Sequence, residues 1–371
     1  MVLLLVLQDW FVFIILNRMD AEIQKIKLSV TNRCMLNCSY CFVKKNSEVM
    51  LESVAKYAIK ALVESPGVNK KVLIYGGEPL LEFELVKELI LFARKEAKKN
   101  KKELTISIAT NGILIDVEKL LFFKKNNIKI SISIDGDKKT HVPNRLNSGQ
   151  YSYREVLKNI KLSLLIMSPR NVSSLVAVTP GNAKKLYRNL LYLEKIGIEN
   201  FNIEPIQGLN YEWLTKEKEA FEKELKNFIK HIFKLIRNDK FIFLGSITNF
   251  LIQNKLVENK CLFRENMDIS PVGDISLSPF LLNEKRPAKF IVGNFPKGFK
   301  PKYKNCLYDK NSKRCRLCWK VYSENVVFFG SEIVQLRNYV AEIFSVILRD
   351  FSKKEKSFSN YIIEAKKRVF E

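Results

Sequence analysis

Three of the chain's seven cysteines crowd into "TNRCMLNCSYCF", residues 31–42. Cys34, Cys38 and Cys41 are spaced C-x3-C-x2-C, and Tyr40 directly precedes the last of them. Thiolates are soft ligands that suit iron–sulfur clusters or zinc. A structural metal site normally closes with four protein ligands, whereas a reactive one keeps a position open. Three thiolates from one short loop can take three irons of a cubane cluster and leave the fourth iron for a substrate or cofactor. A zinc finger would pair C-x2-C with a second such pair or with histidines. The chain has only two histidines, His141 and His231, both remote from this loop in sequence. The other four cysteines, Cys261, Cys306, Cys315 and Cys318, form a second set. The C-x2-C at 315–318 aims two sulfurs at one ion from a single turn. Four thiolates can close one 4Fe–4S cluster completely, or hold one zinc ion.

These loops need a scaffold, and a strand–helix rhythm begins at residue 25. "KIKLSV" (25–30) ends at the cysteine loop, followed by a helical stretch near 51–64. "KVLIY" (71–75) runs into "GGEP" and a helix over 83–98, with Leu85, Leu89, Ala93 and Ala97 at i+4 spacing. "LTISIA" (104–109) leads to "TNG" and helix 116–126, and "IKISISI" (128–134) to "DG" and helix 153–167. "VSSLVAV" (172–178) precedes Pro180 and helix 183–196; "NFNIEPI" (200–206) precedes helix 214–237. Six βα units in series imply parallel strands with right-handed crossovers. The expected class is α/β, a partial (β/α)6 TIM-type barrel. In barrels of this kind the loops at the carboxyl ends of the strands build the active site. That arrangement makes the cysteine loop, Gly76–Pro79, Asn111 and Ser133–Asp135 neighbours. Glu204, at the end of the sixth strand, is either cavity-facing or a solvated loop carboxylate. After about residue 240 the rhythm stops. The expected organisation is an apolar N-terminal extension (1–23), the barrel (24–240), a small irregular cysteine-bearing domain (241–330) and a helical tail (331–371).

The pattern Cys34, Cys38, Tyr40, Cys41 after a first strand resembles the radical S-adenosylmethionine superfamily. That resemblance implies a 4Fe–4S cluster on Cys34, Cys38 and Cys41, with its open iron chelated by S-adenosylmethionine. An electron from the cluster then cleaves the sulfonium to give methionine and a 5′-deoxyadenosyl radical, which abstracts hydrogen from substrate. Other loops match the family in order. In "GGEP", Gly76 and Gly77 let backbone approach the methionine moiety, and Glu78 helps orient the strand end. In "SISIDG", Ser133 is a polar cofactor contact and Asp135 shapes the loop. Arg145 in "HVPNRL" suits a methionine carboxylate through its guanidinium fork. The ordinary alternatives are a simple turn at Asp135–Gly136 and a surface charge at Arg145. Asn111 bonds either the cofactor or its own loop.

"CLFRENMDISPVGDISLSP", from Cys261, resembles the start of the twitch or SPASM extension of radical S-adenosylmethionine maturases. Ser278 stands where that pattern has its second cysteine, and the later cysteine run is reduced to "CRLC". The resemblance therefore implies a twitch-like or degenerate SPASM domain with one auxiliary 4Fe–4S cluster on Cys261, Cys306, Cys315 and Cys318. Sulfatase-maturing relatives place a basic Asp after that second cysteine; Pro279 stands here, which argues against formylglycine formation. The implied activity is oxidation or crosslinking of a peptide or protein side chain, with a donor such as ferredoxin or flavodoxin. No separate peptide-recognition domain is expected before the barrel.

Composition sets outer limits. With 47% hydrophobic residues among 371, the chain can bury a sizeable core. An odd cysteine count and no secretory signal make a disulfide framework a poor reading and point to the cytoplasm. The 63 Lys and Arg against 39 Asp and Glu give a formal net charge of +24. That charge leaves RNA, a nucleotide or a small cofactor precursor as an alternative substrate, although compositional bias is the weightier account of it. A non-catalytic zinc or iron–sulfur interaction protein is the alternative of another class. The N-terminal "MVLLLVLQDWFVFIIL" is interrupted by Gln8 and Asp9 and is shorter than the roughly 20 residues of a membrane helix. A packed strand or helix is expected there.

Overall fold

A computed structural model describes residues 22–146, 151–206, 211–253, 267–276, 291–299 and 331–370. Residues 1–21, Ser278, Pro279 and the cysteines of the second set lie outside the described residues.

Strands and helices alternate as their side chains dictate. β1 (Lys25–Thr31) precedes the two-residue β2 (Asn37–Cys38) and a helix over Glu52–Glu64. β3 (Asn69–Gly76) and helix Phe83–Lys99 follow, then β4 (Glu103–Thr110) and helix Val117–Lys125. β5 (Ile128–Ser133) leads through a seven-residue helix, Lys138–Asn144, and the short β6 (Arg145–Leu146) to helix Tyr151–Ile166. β7 (Val172–Val178) leads to helix Leu186–Lys195, and β8 (Asn200–Pro205) to helix Thr215–Arg237. The sequence places a helix from residue 183, but Pro180–Lys185 is 3-10, entered through a Thr179/Asn182 capping box, and the α-helix starts at Leu186. The alternation continues past residue 240 with β9 (Phe243–Leu244) and helix Gly245–Gln253. Four further short strands follow: β10 (Met267–Ile269), β11 (Asp274–Ser276), β12 (Gly293–Asn294) and β13 (Gly298–Phe299). Helices Ser331–Ser352 and Lys356–Phe370 close the described chain. Among the described residues, no helix is long and apolar enough to cross a membrane.

The chain forms two compact units. The first comprises Met1–Met35, Cys41–Ala109 and Glu258–Tyr322. In it β1 pairs in parallel with both β3 and β10, and β3 pairs in parallel with β4. β10 to β13 continue antiparallel. Period-two alternation separates the two faces of this sheet. Ile26, Leu28 and Val30, with Val72, Ile74, Ile106, Ile108, Met267 and Ile269, are all buried. Helices Glu52–Glu64 and Phe83–Lys99 bring buried Ala58, Ile59, Leu62, Leu89 and Ala93. Each such large aliphatic side chain contributes about 1.5–3 kcal/mol on burial. The alternate positions are polar. Fully buried Asp268 on β10 accepts hydrogen bonds from Lys27 Nζ (3.2 Å) and Tyr75 Oη (3.1 Å). Burial pushes the Asp268 carboxyl up, against the opposing pull of Lys27. The bonds tie β10 to β1 and β3. The three-residue "MDI" of β10 is too short for any periodicity to announce it.

The second unit comprises Leu36–Tyr40, Thr110–Val257 and Ser323–Glu371. β5, β7, β8 and β9 pair in parallel in that order, and β2 pairs antiparallel with β6. The C-terminal helices pack on Thr215–Arg237 through Phe233, whose ring meets Phe344, Phe351 and Phe358 at 5.9, 5.8 and 5.4 Å. Tyr361 stacks on Phe243 at 4.9 Å and donates to Ile242 O. Arg337 reaches Glu204 Oε2 (2.8 Å) and Ile203 O (3.0 Å). Glu204 is thus half-exposed and paired with a helical arginine, which favours the solvated of its two sequence readings.

Candidate active site

In the first unit, the "GGEP" turn clamps the entry to the cysteine loop. Gly77 N donates to Thr31 O (2.7 Å), and Glu78 N donates to Arg33 O (2.8 Å). A Cβ on Gly76 would lie 2.4 Å from Thr31 O, and one on Gly77 would lie 2.2 Å from Arg33 O. Gly76 also has φ +139°, a conformation that favours glycine. These contacts give both glycines a packing reason, independent of any approach by a cofactor. Glu78 is fully buried, and its Oε1 accepts from Leu80 N (3.1 Å) to cap the 3-10 turn Pro79–Glu82. Residues 31–33 are held from a second side as well. Asn32 Nδ2 donates to Glu48 Oε2 (2.9 Å), Thr31 Oγ1 to Glu48 O (3.1 Å), and Arg33 Nη1 to Glu82 Oε1 (3.0 Å).

Gly77→Ala is therefore expected to destabilise the protein by about 1–3 kcal/mol, the usual cost of overpacking, and to lower the iron bound after reconstitution. Gly181→Ala is the control, since a Cβ there would meet only Thr179 Oγ1, at 3.9 Å. Equal iron content and equal urea midpoints in the two variants would contradict the clamp.

In the second unit, the "SIDG" loop gathers the other sequence candidates. Asp135 Oδ2 accepts from Tyr40 Oη (2.8 Å) and Arg145 Nε (3.1 Å). Its Oδ1 accepts from Arg145 Nη2 (3.0 Å) and Ala177 N (3.0 Å). Arg145 also stands over the Tyr40 ring, at 5.4 Å from its centroid. Asp135 and Arg145 are both buried. Burial works against charge on Arg145, but the charge and hydrogen bonds of Asp135 hold it more firmly protonated than a free guanidinium. Burial likewise pushes the Tyr40 phenol up. Arg145 is therefore no surface charge, and Asp135–Gly136 is no simple turn. Gly136, with φ +137°, passes so close to Asn189 that a Cβ would lie 2.3 Å from its Cγ. Ser133 ends β5, buried and in register with Leu175 of β7.

Asn111 takes the second of its two sequence alternatives, since its Oδ1 accepts from Ile113 N (2.9 Å) within its own loop. Three participants escaped sequence reading. Asn189 was detectable, because it shares the buried stripe of its helix with Leu186, Leu190 and Leu193. His141, whose Nδ1 accepts from Asp135 N (3.3 Å), carries no pattern around it. Ala177 contributes a backbone amide, which no side-chain motif can reveal.

His141 has a pH consequence. Burial, reinforced by Arg145, pulls it down to about 4 from 6.5. The unfolded chain then binds the extra proton first as pH falls. Stability is fully present above about 6.5 and is lost progressively down to about 4, by up to about 3 kcal/mol. His141→Gln is expected to flatten urea-unfolding stability over that window; an unchanged slope would refute the assignment.

Cys34 and Cys38 are half-buried and Cys41 is exposed. Among the described residues, no group of three or more His, Cys, Asp and Glu side chains is positioned to hold a metal ion. The structure thus brings Tyr40, Asp135 and Arg145 together, but does not draw the three thiols into a ligand set. Their fit to a cluster rests on donor chemistry, three soft thiolates from one loop whose entry is fixed by hydrogen bonds.

Residues 28–191 match the model of the Radical SAM superfamily. That stretch is a radical SAM domain, of a family that uses a 4Fe–4S cluster and S-adenosylmethionine. An uncharacterized protein of Methanocaldococcus jannaschii, MJ0907, is 29% identical over 228 residues, spanning 59% of this chain and 78% of that protein. A cysteine-type anaerobic sulfatase-maturating enzyme of Clostridium novyi is 28% identical over 232 residues, 56% of this chain and 61% of that enzyme. A GTP 3′,8-cyclase of Clostridium perfringens is 26% identical over 221 residues, 55% of this chain and 64% of the cyclase. The chain thus matches under two thirds of the length of both named enzymes. The solved structure of anSMEcpe with bound AdoMet and Cp18Cys peptide has a TM-score of 0.63 at 18% identity, covering 87% of this chain and 99% of that one. That likeness shows the fold, the α/β partial TIM-type barrel of radical SAM enzymes.

Proposed function

We propose that this enzyme holds a 4Fe–4S cluster on Cys34, Cys38 and Cys41, binds S-adenosylmethionine at the open iron, and oxidises or crosslinks a side chain of a peptide or protein. The observation that carries the reading is the similarity to a sulfatase-maturating enzyme, at 28% identity over 232 residues. Once bound, cluster and cofactor supply reductive cleavage of the sulfonium bond and the radical that abstracts hydrogen. The chain's residues position. Gly76, Gly77 and Glu78 fix the base of the cysteine loop. Tyr40 fastens that loop to Asp135, and Asp135 spends two donors of Arg145. Arg145 Nη1 has no part in the Asp135 bridge, which leaves a donor for the cofactor's carboxylate, while Ser133 supplies a hydroxyl at the β5 end. Cys261, Cys306, Cys315 and Cys318 hold one auxiliary 4Fe–4S cluster in a twitch-like domain over 241–330, with zinc the alternative. A ferredoxin or flavodoxin supplies the electron.

The test is mass spectrometry of candidate peptides after anaerobic co-expression, with Cys34→Ala as control. A Cys34-dependent mass change supports the reading. Cofactor cleavage that leaves every peptide unchanged would remove it. A second reading, action on RNA or a nucleotide, draws on the cyclase similarity and the net charge of +24. Salt-sensitive RNA retention favours it, and no retention at low salt removes its RNA form.

A further inference from the structure

β2 and β6 form a two-stranded ribbon in which Cys38 stands directly across from Arg145. The next backbone bond, Ser39 N to Asn144 O at 2.9 Å, continues the pairing. The second cysteine of the loop therefore has a buried, permanently charged guanidinium as its cross-strand neighbour. Side chains directly opposite in an antiparallel pair stand about 4.5–5.5 Å apart at Cβ. The Cys38 side chain and the Arg145 guanidinium interact electrostatically across the ribbon.

Asp135 carries the balancing negative charge. Its carboxylate is shared with two neutral donors, Tyr40 Oη and Ala177 N, as well as with Arg145. Arg145, not Asp135, is the member of the pair in register with Cys38. The cross-strand neighbour of Cys38 is thus the positive member of a buried ion pair.

We propose that Arg145 sets the reduction potential of the cluster held through Cys38. This rests on the reading of Cys38 as a cluster ligand. One-electron reduction adds one negative charge to the cluster, and a fixed cation at short range in a poorly solvated setting stabilises that added charge. Arg145 makes the cluster easier to reduce, so a donor of modest strength suffices to start the reaction. Asp135 moderates the effect and holds the guanidinium in place.

The full-length protein, reconstituted anaerobically without S-adenosylmethionine, is titrated electrochemically while the reduced cluster is followed by electron paramagnetic resonance. The relevant signal is the one missing from Cys34→Ala. At a fixed applied potential, Arg145→Gln is expected to lower the ratio of reduced to oxidised cluster by about tenfold or more. Arg145→Lys keeps the charge and should stay nearer the parent. Asp135→Asn should shift the ratio the opposite way, and Arg145→Gln with Asp135→Asn should fall between the two single variants. A purely structural role would not produce opposite signs. An unchanged or raised ratio in Arg145→Gln, with its cluster intact, overturns the proposal. If that variant loses its cluster, Asp135→Asn decides, and no increase there overturns it. Absence of any Cys34-dependent cluster in the parent is a different outcome, and it sinks the reading of the loop itself.

Discussion

Asp135→Ala is expected to lower the unfolding free energy by about 3–5 kcal/mol, because it leaves a buried guanidinium with no counter-charge. Asp135 fills its acceptor positions with Arg145 Nε and Nη2, Tyr40 Oη and Ala177 N. Deleting the carboxylate strands all of these donors in a place where water cannot replace it. Each buried donor left unpaired costs about 1–3 kcal/mol by itself, although such costs do not add. Typical domains have only about 5–15 kcal/mol in total, so the variant should approach the limit of folding. Asp135→Asn keeps the shape and part of the acceptor capacity, and should fall between. Urea unfolding with a common slope measures the difference. An unfolding free energy for Asp135→Ala within about 1 kcal/mol of the parent would show that the hub carries little.

Replacing any one of Cys34, Cys38 or Cys41 by Ala is expected to remove about four irons per chain and to cut release of 5′-deoxyadenosine by about a thousandfold or more. The physical ground is ligand count. A cubane with one open iron already relies on three protein thiolates; with two, a second iron loses its anchor, and a soft cluster in water is readily lost. Cys315→Ala, in the proposed auxiliary set, should keep cofactor cleavage while losing product. Iron and sulfide analysis with chromatography of the nucleoside product reads both effects. Cleavage retained within about threefold of the parent in any of the three loop variants would show that this residue is not a ligand.

Much of this architecture is legible in the chain because its strands are written in β-branched residues and its helices in i+4 stripes. "VSSLVAV" is β7 residue for residue. The pieces that escaped are those with too little length for a period. β10 has three residues, and helix Lys138–Asn144 has seven with Pro143 inside, so its signal is the Asp137 cap and not a stripe. The site is legible as individual residues and not as a network. Tyr40, Asp135 and Arg145 each stand out by motif, yet their mutual bonds depend on an antiparallel ribbon two residues long and on one backbone amide. Neither leaves a trace in residue type. Gly76 and Gly77 teach a related lesson. The sequence marks them as positions where backbone must pass closely, and the partner in the fold is the chain's own Thr31–Arg33 segment.

The pairing of β10 alongside β1 also bears on solubility. β1 is seven residues long and largely buried, and its flank away from β3 is satisfied through only three registered positions on β10. Without that short strand, β1 would present a row of unpaired amides and carbonyls flanked by Ile26, Leu28 and Val30, which is the kind of surface that recruits other chains edge to edge. A segment from the second half of the sequence thereby guards the first strand of the barrel against self-association.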